Sequence, residues 1–101
     1  MLLEGKKALI TGGTGALGKK LCEVFAREGA DVAFNYLKQE AAAAEVVKSI
    51  EAHGRAARAF RVSVLDAAGV AAMTGSVADA FGRIDILVNN AGTTQVLPFP
   101  L

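Results

Sequence analysis

The chain has 101 residues, 52% of them hydrophobic, which suits one small domain with a core of modest size. Its 11 basic and 10 acidic residues give a formal net charge of +1 without a basic face, so we expect no nucleic-acid partner. A single cysteine excludes an internal disulfide and a cysteine-based zinc site, and the single histidine has no companion at ligand spacing. The short apolar runs argue against a membrane span, so we expect a reducing, cytoplasmic setting.

Short apolar runs alternate with longer stretches of helical periodicity in the first half of the chain. Residues 7–11 predict a buried strand, and residues 14–27 predict a helix that ends before Gly29. The inner face predicted for this helix consists of Leu17, Leu21, Val24 and Phe25. Residues 32–35 predict a second strand and residues 39–53 a second helix. The inward residues of the second helix are Ala43, Val46, Val47 and Ile50.

The same alternation continues in the second half. Residues 57–62 predict a third strand, and Asp66 is a candidate N-cap for a third helix that Gly82 ends. The stripe predicted to face the core of this helix is Val70, Met73, Val77 and Phe81. Residues 84–89 predict a fourth strand. The order β-α-β-α-β-α-β, with nearly continuous apolar strands, predicts an α/β fold with a parallel sheet covered on both faces. We interpret residues 1–101 as the N-terminal part of a doubly wound, Rossmann-type domain.

The glycine-rich stretch "TGGTGALG" at residues 11–18 lies between the first strand and the first helix. Free N–H groups at a helix N-terminus bind phosphate, and glycines let the phosphate approach the backbone. Three overlapping patterns fit dinucleotide-binding fingerprints: Gly13-x-Gly15-x-x-Gly18, Gly12-x-x-Gly15-x-x-Gly18 and Thr11-Gly12-x-x-x-Ala16-x-Gly18. A tight turn that only packs the helix against the sheet is the alternative. We interpret the stretch as a phosphate-binding loop.

The end of the second strand bears on the choice of dinucleotide. The fingerprint calls for an acidic residue here to hold the adenosine ribose, but the segment reads "FNYLK" at residues 34–38. The missing carboxylate removes a repulsion against a 2′-phosphate, and Lys38 would attract one. We therefore expect NADP to be preferred over NAD, although Lys38 also fits a solvated surface position.

A second motif, Asn89-Asn90-Ala91-Gly92, follows the fourth strand. Together with Thr11-Gly12-x-x-x-Ala16-x-Gly18 it resembles the short-chain dehydrogenase/reductase family, in the compact branch that contains 3-oxoacyl-carrier-protein reductases and related ketoreductases. The runs "EGKKALITGG" and "FGRIDILVNNAG" match that branch in wording and spacing. The resemblance covers essentially all 101 residues. It departs at Ala16, where the family usually has a glycine; Gly15 would compensate.

The resemblance also implies contacts with the cofactor. The pyrophosphate and ribose would lie against the glycine loop, namely Gly12, Thr14, Gly15, Ala16, Leu17 and Gly18. The adenosine ribose would lie near Tyr36 and Leu37, with Lys38 just beyond. Ser63 and Val64 stand where the family often has Asp-Val beside the adenine. Further contacts with the cofactor ribose would come from Asn90, Ala91 and Gly92, while Asn89 would tie strands together.

The catalytic residues that the resemblance implies are not found in these 101 residues. The family uses a serine and a tyrosine followed four residues later by a lysine, but the single tyrosine, Tyr36, is followed by Glu40. We therefore expect no catalysis by this chain alone. In the strand order 3-2-1-4-5-6, the fourth strand would lie between the first strand and a fifth. Without the fifth strand it would expose an apolar edge, which we expect a homo-oligomer or another partner to cover.

Three functions remain open from the sequence. The chain is the cofactor-binding part of an NADP(H)-dependent ketoreductase, a stand-alone nucleotide-binding module, or a truncated product without activity. The residues that would select a substrate are not among these 101.

Overall fold

Strands and helices alternate through the computed structural model, which describes residues 1–90. In chain order the elements are β1 (Lys7–Ile10), α1 (Ala16–Arg27), β2 (Asp31–Tyr36), α2 (Glu40–Ala52), β3 (Ala57–Arg61), α3 (Ala67–Phe81) and β4 (Ile86–Val88). Every predicted element is present, and its bounds differ from the prediction by at most two residues. The α/β fold class predicted from the alternation is confirmed.

The four strands form one parallel sheet in the order β3-β2-β1-β4. Ala8 in β1 pairs with Val32 in β2 and with Ile86 in β4, so β1 lies at the centre of the described sheet. The predicted position of the fourth strand beside the first is confirmed. All carboxyl ends meet at one edge, and the direction of winding changes between β1 and β4, where open α/β sheets bind ligands.

Helices cover both faces of the sheet, as predicted. On one face α1 and α2 pack over Ile10, Val32 and Phe34. On the other face α3 packs through Met73 and Val77 over the alternate strand residues, Leu9 and Ala33. The inward residues predicted for α2 and α3 belong to these two clusters or pack against them, except Val70, which is buried on α3. Successive strand residues therefore point into different cores, which explains the nearly continuous apolar runs.

The buried face of α1 differs from the prediction. Its buried residues are small, namely Gly18, Cys22 and Ala26, while Leu17 is 62% exposed. Leu21 and Phe25 pack at the margin of the core. Small side chains let α1 lie close to the sheet. A prediction based on large apolar residues therefore misplaces the centre of the buried face of α1. Cys22 is fully buried and serves as a packing residue, and burial raises the pKa of its thiol to about 12.

Charged groups connect the strands at the edge opposite their carboxyl ends. Lys7 forms an ion pair with Asp31, whose other oxygen accepts the N–H of Ala56 at 2.9 Å. Asp85 accepts the N–H of Lys7 at 2.9 Å and is held by Arg83. Since these residues precede or begin all four strands, this network fixes the sheet at its amino-terminal edge.

None of the helices described within residues 1–90 combines the length and the hydrophobicity that a membrane crossing requires.

Candidate functional site

A cleft of about 320 Å³ opens at the carboxyl ends of the strands, a volume typical of small-molecule sites. Three of its walls are the loop after β1, the end of β2 with the residue that follows it, and the segment after β3. A residue that follows β4 contributes the rest. The lining residues are Gly12, Thr14, Gly15, Asn35, Tyr36, Leu37, Val62, Ser63, Val64 and Asn90. The cleft therefore lies where the parallel fold predicts a ligand site.

Glycines in the loop after β1 serve two different purposes. A methyl group at Gly13 would overlap the ring of the buried Phe34, and one at Gly18 would overlap the carbonyl oxygen of Gly12. These two glycines let the loop and α1 pack closely. At Gly15 a methyl group would meet only that same carbonyl oxygen, at 3.7 Å, so its absence leaves room in the cleft. The tight-turn alternative therefore explains Gly13 and Gly18 but leaves Gly15 unexplained.

The N-terminus of α1 opens on the cleft without a side chain to cap it. Its N-cap residue is Gly15, no side chain accepts its first N–H groups, and the first turn contains no acidic residue. By contrast, the Asp66 side chain caps α3 by accepting the N–H of Gly69 at 3.0 Å. Free N–H groups and the positive end of the helix dipole make this end of α1 suited to an anion.

Asn35 is a site residue that the sequence analysis did not identify. Its side chain is buried at the end of β2, where Oδ1 accepts the N–H of Gly12 and Nδ2 donates to the carbonyl of Val62, both at 2.8 Å. One amide thus ties the glycine loop to β2 and to the segment after β3. A polar residue inside the apolar run of β2 was the available signal, because a buried amide needs partners.

Asn90 fixes the other wall of the cleft. Its N–H donates to Oγ1 of Thr11 at 2.8 Å, and its Nδ2 donates to the carbonyl of Gly12 at 3.3 Å. Oγ1 of Thr11 also lies 3.3 Å from Oδ1 of Asn89, so the segment after β4 is bound to the end of β1. This contact agrees with the expectation that Asn89 ties strands together.

The other predicted site residues lie around the cleft or outside the described part of the chain. Gly18 lies beneath the loop, against the Gly12 carbonyl, and Ala16 borders a groove between α1 and α2. Leu17 and Lys38 are exposed and do not line the cleft. Ala91 and Gly92 lie outside the described residues.

The lining of the cleft carries neither a carboxylate nor an amine. Its polar groups are hydroxyls, amides and backbone groups, which bind ligands by hydrogen bonds. Within residues 1–90 there is also no group of three or more side chains suited to hold a metal ion. These hydrogen-bonding groups, beside the uncapped N-terminus of α1, suit a phosphate-bearing ligand.

Comparison with known proteins gives a consistent set of relatives. The sequence model of the family described as short chain dehydrogenase matches residues 6–100. A 3-oxoacyl-[acyl-carrier-protein] reductase, FabG, of Staphylococcus aureus is 41% identical over 90 residues, covering 89% of this chain. D-threitol dehydrogenase of Mycolicibacterium smegmatis is 41% identical over 99 residues, covering 95% of the chain.

Solved structures similar to this chain include dehydrogenases as well. A short chain dehydrogenase from Burkholderia cenocepacia in complex with NADP is 44% identical, with a TM-score of 0.88 over 94% of this chain. An NAD⁺-bound xylitol dehydrogenase is 32% identical, with a TM-score of 0.86 over 92% of the chain. The match spans 37% of the length of the Staphylococcus aureus reductase, 36% of the threitol dehydrogenase, 39% of the Burkholderia structure and 35% of the xylitol dehydrogenase.

Proposed function

The chain belongs to the short-chain dehydrogenase/reductase family, and we propose that residues 1–101 are the dinucleotide-binding part of an NAD(P)(H)-dependent oxidoreductase acting on a carbonyl or hydroxyl substrate. The observation that carries the proposal is the uncapped N-terminus of α1, which opens on the cleft beside Gly15. Because no side chain satisfies the N–H groups at this end of the helix, an anionic ligand would bind to them.

The residues of the cleft fit a dinucleotide. The pyrophosphate would bind at the start of α1, against Thr14, Gly15 and the backbone of the first turn. The adenosine would lie between Tyr36 and Leu37 on one side and Ser63 and Val64 on the other. On the proposed assignment, Asn90, Ala91 and Gly92 approach the other ribose. Gly12 and Gly18 shape the loop, and Ala16 and Leu17 contribute backbone N–H groups.

We propose that NADP is preferred over NAD. The lining contains no carboxylate to repel a 2′-phosphate, and Lys38 is exposed one residue beyond Leu37. Within residues 1–90, Lys38 forms no ion pair that would neutralise its charge. Among the similar structures, the Burkholderia dehydrogenase contains NADP and the xylitol dehydrogenase contains NAD⁺.

A dinucleotide bound in this cleft would supply or accept hydride. These 101 residues bind and orient it but contain no tyrosine with a lysine four residues later, so we propose that they do not turn over substrate alone. The similarity to the Staphylococcus aureus protein favours a 3-oxoacyl-type ketone as the substrate of the whole enzyme. The buried free thiol of Cys22 fits a reducing, cytoplasmic location.

Substitution of Gly15 by aspartate tests the proposal. Gly15 has φ −70° and ψ 165°, a conformation suited to an aspartate N-cap, so Gly15→Asp would cap α1 and preserve or slightly raise stability. The same carboxylate would occupy the anion site, and we expect NADPH binding to fall by roughly a hundredfold or more. Isothermal titration with NADPH and NADH gives the affinities, and urea denaturation gives the free energy of unfolding.

Gly15→Ser is the matched control, because a serine caps the helix without adding charge, and we expect it to weaken binding less. Undiminished NADPH binding by Gly15→Asp would contradict the proposed phosphate position. Binding of NADPH by the wild-type chain, without turnover of a ketone, is the expected result. A chain that binds neither dinucleotide would be the inactive product considered above.

A further inference from the structure

Arg61, the last residue of β3, connects that strand to the segment that follows β2. Its Nε donates to the carbonyl of Leu37 at 3.0 Å, and its Nη1 donates to Oε1 of Glu40 at 3.1 Å. Leu37 lines the cleft, and Glu40 is the first residue of α2. A single guanidinium therefore holds both ends of the loop formed by residues 37–39, which we call the β2–α2 loop.

Backbone hydrogen bonds hold the C-terminal part of this loop, because the carbonyls of Lys38 and Gln39 accept the N–H groups of Glu40 at 3.2 Å and Ala43 at 2.9 Å. The ladder between β2 and β3 ends where the N–H of Val62 donates to the carbonyl of Tyr36 at 3.1 Å. The next carbonyl, that of Leu37, is the one that Arg61 holds. Gln39 makes no side-chain cap to α2, and within residues 1–90 no other side chain donates to the backbone of this loop.

We propose that Arg61 is a positioning residue, which fixes the β2–α2 loop and thereby sets the preference of the cleft for a nucleotide with a 2′-phosphate. This inference rests on the proposed function, in which Lys38 in the same loop attracts that phosphate. A loop held before binding spends less conformational entropy when the ligand arrives, so its contacts contribute more to affinity.

The contribution of Arg61 depends on geometry as well as on charge. Its side chain is 59% exposed and that of Glu40 is 68% exposed, so the ion pair alone is weak. A planar guanidinium can donate to a carbonyl and a carboxylate at once, whereas an ammonium holds two such partners less rigidly. Lysine at this position would keep the charge but would hold the Leu37 carbonyl and the Glu40 carboxylate less rigidly.

The test uses the 101-residue chain and two fragments of the cofactor, adenosine 2′,5′-bisphosphate and adenosine 5′-monophosphate. For Arg61→Met we expect affinity for the bisphosphate to fall about tenfold and affinity for the monophosphate to fall less than about threefold. Amide hydrogen exchange of residues 38–40 should accelerate. Arg61→Lys should lie between the wild type and Arg61→Met in both measurements.

Arg58→Met is the matched control. It removes the same charge from the same edge strand, but within residues 1–90 the Arg58 guanidinium donates a hydrogen bond only to the carbonyl of its neighbour Ala57. We expect it to leave the ratio of the two affinities and the exchange of residues 38–40 unchanged.

Three outcomes would overturn the role of Arg61: equal losses in the Arg58 and Arg61 variants, wild-type behaviour of Arg61→Lys, or unchanged exchange in Arg61→Met. Each of these leaves nucleotide binding intact and the proposed function standing. A wild-type chain that binds neither fragment would overturn both proposals.

Discussion

At the scale of single residues, Gly18 shows how closely α1 approaches the loop before it. A Cβ on the third residue of the helix would overlap the carbonyl oxygen of Gly12 and would lie 3.0 Å from Nδ2 of Asn90. Both the loop and the segment after β4 therefore depend on the absence of a side chain here. Gly75, in the middle of α3, has open space where a side chain would be.

These two helical glycines predict opposite responses to the same substitution. Gly18→Ala forces the loop away from α1, and we expect it to lower the free energy of unfolding by about 1–3 kcal/mol. Gly75→Ala improves helix propensity without a clash, and we expect a gain of about 0.5–1 kcal/mol. Urea denaturation measures both values. Equal effects in the two variants would show that Gly18 is not constrained by packing.

At the scale of elements, the N-termini of α1 and α3 are built differently. The N-cap of α3 is Asp66, whose carboxylate accepts the N–H of Gly69, and a side chain at position 69 would press against that carboxylate. The N-cap of α1 is Gly15, which has no side chain to accept the first N–H groups of that helix. The cap makes α3 independent of any ligand, whereas the N–H groups of α1 remain available for one.

Removal of the α3 cap should affect stability but not ligand binding. We expect Asp66→Ala to lower the free energy of unfolding by about 1 kcal/mol and Asp66→Asn to recover most of it, because asparagine also caps helices. Asp79→Ala, at an exposed position on the same helix, should change it by less than about 0.5 kcal/mol. Thermal and urea denaturation measure these differences. Similar losses at residues 66 and 79 would contradict a specific cap.

At the scale of the whole molecule, the charged network lies at the amino-terminal edge of the sheet, opposite the cleft. Burial raises the pKa of Asp31, but the hydrogen bonds from Lys7 and Ala56 and the charges of Lys7 and Arg55 outweigh it. The pKa of Asp31 is therefore below its ordinary value of 3.8. The N–H of Lys7 and the Arg83 side chain likewise lower the pKa of Asp85. Both carboxylates are thus more acidic in the folded chain than in the unfolded one.

This direction of the pKa shifts determines how stability depends on pH. A carboxyl with a lowered folded-state pKa stabilises the fold fully above its unfolded value, and the stabilisation disappears as the pH falls through the folded value. We expect the free energy of unfolding to decrease below about pH 4, and Asp31→Asn to flatten that decrease while lowering stability at pH 7. Asp79→Asn, at an exposed position without an ion pair within residues 1–90, serves as the control. Urea denaturation at several pH values measures the free energy of unfolding. If this free energy decreased below about pH 4 as steeply in Asp31→Asn as in the wild type, the role of this network would be contradicted.

The outer edge of β4 also belongs to this scale. Ile86, Leu87 and Val88 are half-buried, and within residues 1–90 no strand pairs with their free side. An apolar strand with unpaired backbone groups favours association with another chain or segment. That a partner or a second copy covers this edge stays a prediction.

The sequence by itself determined the order and types of the elements, because apolar periodicity follows directly from burial on a strand or helix. It also located the glycine loop, whose residue types depend on local sterics, and the family resemblance implied most of the other residues that line the cleft. The motif at residues 89–92, together with the glycine loop, led to the family to which the chain belongs.

Only the tertiary structure decided which residues work together across the sheet. The close packing of α1 through Gly18 and Cys22, the buried amide of Asn35 and the position of Arg61 all depend on neighbours distant in sequence. Asn35 reaches partners on both adjacent elements, and Arg61 reaches the β2–α2 loop, because parallel pairing places Tyr36 opposite Arg61. Local periodicity records whether a residue is buried, but a hydrogen-bond partner is set by strand order and register, which exist only once the sheet has formed.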